Sequence, residues 1–163
     1  MKEYAEIVRL LVFALFTAYV IGVRKYNLDS ISQSDYKLKN FRFMFELVMF
    51  ASGGAIAFSS YGTDIWLAST LLIAGGTLIA GVGIFPKYRK NEFNRQMHGL
   101  CAIGGFMLSL AAVYVMFWPL GLLVTVVYIC THLVTKDHDN HTLSIELVLA
   151  YGIFISLQLI SYM

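Results

Sequence analysis

Charge is what this sequence has least of: Asp, Glu, Lys and Arg together make up 13% of its 163 residues, against 58% hydrophobic. A soluble domain carries about twice that charged fraction, so a water-facing surface is excluded. Cysteine is limited to Cys101 and Cys130, both inside long apolar runs, which leaves no extracellular disulfide framework. Proline is limited to Pro86 and Pro119. There is no HExxH or HxxxH motif and no internal repeat, so nothing indicates a zincin-like protease or a transporter with paired halves. The formal net charge is only +2, and no nucleic-acid partner is expected.

What remains is segregated. Charges gather at the N-terminus and in three loops. The uncharged runs between them approach the roughly 20 apolar residues that cross a bilayer core of about 30 Å. The pattern predicts an all-α polytopic membrane bundle, a single transmembrane domain of six helices: 5–23, 41–60, 65–85, 96–117, 119–134 and 143–163. The run from Gln96 to Val134 would make one helix nearly 60 Å long, too long for one crossing, so it is divided at Trp118-Pro119. Residues 61–64 (Tyr-Gly-Thr-Asp) form a tight turn, and Pro86 ends the third helix. Glu3 and Glu6 precede the first run, no small-x-small cleavage pattern follows, and Arg24-Lys25 reads as a stop-transfer flank. A first helix is therefore expected rather than a cleaved leader.

Orientation follows from Lys and Arg. The first, third and fifth loops hold Arg24, Lys25, Lys37, Lys39, Arg42, Lys87, Arg89, Lys90, Arg95 and Lys136. The opposite side holds only Lys2 and Arg9. That bias puts the odd loops in the cytoplasm and both termini outside. Trp66 and Trp118 then fall at the outer interface, and Tyr26, Tyr36 and Tyr88 at the inner one.

Small residues cluster in the second, third and fourth helices, where they allow backbones to approach closely. Gly53, Gly76 and Gly104 are expected at helix contacts, with Gly152 in a looser setting. A glycine-lined path for a substrate is the sharper alternative.

Ionisable groups inside a membrane are functional candidates by default. Glu46, His98, His132 and Glu146 come from four helices yet share one depth, roughly 5–8 Å below the cytoplasmic boundary. Helix starts favour anionic Glu46 and Glu146, whereas His132 lies near a helix end that favours a cation. Two carboxylates and two imidazoles are a candidate divalent-metal site or a proton-exchanging network. The plainer reading pairs Glu46 with Arg42 at i,i+4, lets His98 bond a neighbouring helix, and lets His132 reach the interface. Zinc bound by His98, Cys101, Cys130 and His132 is disfavoured, because Cys130 and His132 point to nearly opposite sides of one helix. Residues 136–141, with His138 and His141, read as a solvated turn.

The first loop carries Ser30, Ser32 and Ser34 between Asp29 and Asp35. It reads as a turn anchored at the interface, with its basic flanks drawn to anionic headgroups. A nucleophilic Ser32 would need a base, and His98 is the one at suitable depth. The catalytic candidates are thus Glu46, His98, Glu146 and Ser32.

Gly83-Ile84-Phe85-Pro86, a charged loop, then His98-Gly99 opening the next helix resembles the Frag/DRAM/Sfk group and related bacterial six-helix proteins over residues 65–117. Ser30-Ile31-Ser32-x-Ser34-x-Tyr36 is similar to a segment of small bacterial and phage membrane proteins. The resemblance implies six helices, a bacterial cytoplasmic membrane and, in places, lipid-related roles. A more distant likeness, to seven-helix membrane metal hydrolases, lacks their His-x-x-x-His pair. The expectation is a non-enzymatic protein that organises lipid or a membrane partner, or a second copy of itself, around a polar cluster in the cytoplasmic leaflet. A metal-assisted hydrolase acting on lipid headgroups is the alternative, and a small transporter or channel the third.

Overall fold

The computed structural model describes residues 2–26, 28, 30–31, 33–34, 42–85, 92–136 and 141–163. Among them the chain is helical throughout, in five long elements: α1 (Lys2–Arg24), α2 (Arg42–Phe58), α3 (Trp66–Ile84), α4 (Glu92–Thr135) and α5 (His141–Ser161). A 3-10 turn, Ser59–Gly62, closes α2. All five helices are long and apolar enough to cross a membrane.

The stretch expected as two helices, α4, breaks at Phe117, whose φ of −157° and ψ of 89° leave the helical region, so two helical segments meet there at a kink. Pro119 is the cause. It has no N–H for the carbonyl of Val115, and its ring would collide with that carbonyl. The chain folds back at the break. The Tyr114 hydroxyl lies 2.8 Å from Thr125 Oγ1, residues a straight helix would hold about 16 Å apart. Thr125 donates in turn to the Gly121 carbonyl, and the Tyr114 ring packs where a Gly121 side chain would be.

The helices pack in a closed ring, each against its neighbours in sequence, with α1 also touching α5. Glycine makes the two closest interfaces. A Cβ on Gly53 would strike the Gly76 carbonyl and lie 2.5 Å from Ala80 N, and Gly76 meets Gly53 and Ala57 in the same way. Between α3 and α4 the tight pair is Gly75 and Gly105, facing Ser109 and Ile79. Gly104 meets only the tip of Leu78 at 3.0 Å, and Gly152 is confined by Val124 at 2.8 Å. Gly104 is thus at a helix contact as expected, though a lighter one than Gly105, whereas Gly152 is tighter than its sequence setting suggested.

The α1–α5 seam is aromatic. Tyr151 stacks edgewise on Phe13 and Phe16, at centroid distances of 5.4 and 5.5 Å, and its hydroxyl donates to Thr17 Oγ1. Outward faces carry large apolar side chains such as Leu11, Ile21, Ile103 and Leu133. Trp66 and Trp118 lie exposed at one end of the bundle, at the start of α3 and the fold-back of α4.

Candidate functional site

The end of the bundle that carries Arg24, Ile84 and His141 is closed by a piece of the first loop. Leu28 and Ile31 are buried in the core beside Phe16, Phe45 and Val82. Ser34 is fully buried and shares a hydrogen bond with the Tyr19 hydroxyl, while donating to the Ile31 carbonyl at 2.6 Å. Turn bonds from Gln33 N to Ser30 O and from Ser34 N to Ile31 O shape the segment. The sequence reading of this loop as an interfacial turn missed its apolar content. Leu28 and Ile31, three apart, are what draw it inward.

Glu146 of α5 holds this plug. Its Oε2 accepts the Ile31 amide at 2.6 Å, a charge-assisted bond of the stronger kind. His98, 7% exposed, places Nδ1 2.9 Å from the Phe85 carbonyl. It thereby ties the start of α4 to the carbonyl left unpaired at the end of α3. Glu146 and His98 line one small central cavity of about 40 Å³, with Phe16, Ile31, Phe45 and Ile79 among its walls. All five helices and the loop contribute to it. That volume is close to the share of a single water molecule.

The other two members of the expected cluster stand elsewhere. Glu46 pairs with Arg42 at 3.4 Å and is one-third exposed. His132 is exposed and packs with Tyr128 and His141 at the start of the α4–α5 connection, where His141 Nδ1 meets Thr135 Oγ1 at 2.8 Å. The four residues share a depth but not a cavity, because common depth leaves each helix free in rotation. Among the described residues no three potential metal-binding side chains come together. Cys101 is buried against Gly81, and Cys130 is exposed. Ser32 and His138 lie outside the described residues.

Two larger cavities run along α5. The first, about 560 Å³, opens between α1, α5 and the plug; Arg24, Ser30 and Ser144 give it a polar rim over Val20, Leu28, Leu143, Leu147 and Tyr151. The second, about 440 Å³, is an apolar groove between α5 and the part of α4 beyond Phe117, lined by Leu120, Leu123, Val127 and Val148 among others. Leu147 and Tyr151 belong to both.

At the opposite end, Arg9 is 3% exposed. Its Nε donates to Gln158 Oε1 at 3.3 Å and its Nη1 to Ser59 Oγ at 3.2 Å. Counted by sequence as an outer flank charge, it is in fact inside the ring. The overlooked signal was a cation beyond the start of an apolar run, with Gln158 as a second polar interruption near the end of the last run.

No family model, no curated protein and no solved structure matches this chain.

Proposed function

We propose that this is a multi-pass membrane protein whose six crossings, counted with α4 as a hairpin, seat an anionic phospholipid in the cytoplasmic leaflet without chemically altering it. The observation that carries the reading is the pair of neighbouring cavities that share Leu147 and Tyr151 as walls. One end has a cation and hydroxyls; the other is an apolar slot of the kind that receives an acyl chain. That is the profile of an amphiphile. Arg24 at the rim attracts an anionic headgroup at roughly 1 kcal/mol. Ten of the twelve Lys and Arg lie in or beside the first, third and fifth loops, which supports a cytoplasmic rim with both termini outside.

A binding role is preferred to hydrolysis because the two cavities offer a cation, hydroxyls and apolar walls, with no carboxylate or imidazole among their described linings.

Lipid retention tests the reading. Protein extracted in mild detergent should keep a phospholipid enriched in anionic species over the bulk membrane. Arg24→Glu should abolish that enrichment, and Ser144→Trp should displace the lipid by filling the groove. A retained pool that mirrors the membrane and is insensitive to both substitutions would exclude the site.

A further inference from the structure

The connection between α4 and α5 brings two imidazoles together. His132 lies three residues before the end of α4, and His141 opens α5. Their ring centroids are 4.8 Å apart, with the planes inclined at 52°. His132 is exposed and His141 half-buried, so both are reached from outside the bundle. Each ring is held by a neighbour. Tyr128, one turn before His132, stacks on it at 6.4 Å with the planes 16° apart. His141 Nδ1 lies 2.8 Å from Thr135 Oγ1. That hydroxyl has a single proton, and it is donated to the Thr131 carbonyl at 2.7 Å. Thr135 therefore accepts the Nδ1 proton of His141, which in the neutral imidazole leaves the lone pair on Nε2.

A metal-ligating histidine is set up in this way. One nitrogen donates to a fixed acceptor, which sets the tautomer and the ring direction, and the other binds the ion. The separation of the two rings also fits a shared ion. With a metal–nitrogen bond of about 2.0–2.1 Å and about 1.1 Å from nitrogen to ring centre, each centroid stands about 3.2 Å from the metal. Two rings meeting at a ligand angle of about 90–110° then have centroids about 4.5–5.2 Å apart, a range that contains the observed spacing. Imidazole nitrogen suits zinc, copper or nickel, whereas magnesium and calcium take oxygen ligands.

We propose that His132 and His141 form a divalent transition-metal site that clips the end of α4 to the start of α5, with water in the remaining coordination positions. His141 binds through Nε2, and Thr135 is the positioning residue behind it. The site shares only His132 with the four-residue cluster expected from sequence. Neither histidine lines the two larger cavities along α5, so the site stands whether or not those cavities hold lipid.

Equilibrium dialysis of the full chain in detergent, carrying no histidine tag, tests the site against Zn²⁺, Ni²⁺ and Cu²⁺ in turn. One ion should bind per chain, copper most tightly, in the general order of divalent affinity, and excess Mg²⁺ should not compete. Thr135→Val removes the acceptor behind His141 and spares both ligands. It should weaken binding about 10- to 100-fold. His132→Ala and His141→Ala each remove a ligand outright and should weaken it further. Neither ring is in the core, so both variants should fold. A bound ion should also raise the thermal midpoint of the wild type, and should leave those of the two alanine variants unmoved. Absence of binding, or binding that survives both alanine substitutions, overturns the proposal and leaves the rings as packing partners. Loss in the alanine variants with no change in Thr135→Val would keep the site and remove Thr135 from it.

Discussion

Single residues decide the helix contacts, and neighbours one position apart have opposite roles. Gly53 faces the Gly76 backbone, while Gly54 has nothing within 4 Å of where its side chain would be. Gly53→Ala should therefore destabilise the fold by about 1–3 kcal/mol, the cost of overpacking. Gly54→Ala should be neutral or stabilising by about 0.5–1 kcal/mol, because glycine inside a helix is the poorer choice. Unfolding of the two variants in mixed micelles checks the contrast, and equal losses would mean that the α2–α3 contact is not where the glycines place it. The same spacing separates Gly104, which meets only Leu78, from Gly105, which meets the α3 backbone. Consecutive residues differ by about 100° around a helix, and an apolar helix shows no pattern of its own to mark which face has a neighbour.

Elements were more legible than faces. Loop charges bracket each apolar run, so the helices could be placed from composition, and Pro119 located the interruption of α4 to within two residues of Phe117. The plug was not legible, since the acceptor of its Ile31 amide, Glu146, comes over a hundred residues later. The contribution of that bond is testable. Glu146→Ala removes the acceptor of the Ile31 amide, a bond worth about 1.5–3 kcal/mol. Hydrogen exchange at Ile31, Gln33 and Ser34 should then rise by about 10- to 100-fold, while amides in the middle of α2 and α3 keep their protection. Protection retained at Ile31 would show that apolar burial alone seats the loop.

The whole molecule is a ring of helices with two dissimilar ends, one plugged by the first loop, the other carrying both tryptophans and buried Arg9. Its orientation in a membrane is checked by labelling single cysteines from outside. Cys130 is exposed and must first be replaced, together with buried Cys101. A cysteine at Asp64, in the short α2–α3 connection, should react with an impermeant reagent in intact cells, and one at Lys136 should react only after lysis. The opposite pattern would invert the topology and place Arg24 outside. The polar site was half legible at this scale. Depth along the chain brought His98 and Glu146 into view, but rotation separated them from Glu46 and His132. The count of flanking charges hid Arg9 because it asks on which side a cation lies, not whether it is buried.

The seam between the first and last helices also sets a schedule. Ile31 waits for Glu146, 115 residues later, and Thr17 for Tyr151, 134 residues later. At roughly 5–20 residues per second of synthesis, α1 spends on the order of ten seconds in place before α5 exists. During that interval the Ile31 amide has no Glu146 and Arg9 has no Gln158, so the ring cannot close until the last helix has been made. A truncation in α5 therefore harms the beginning of the chain as much as its end, and a chaperone or insertase would find α1, not α5, as the segment left waiting.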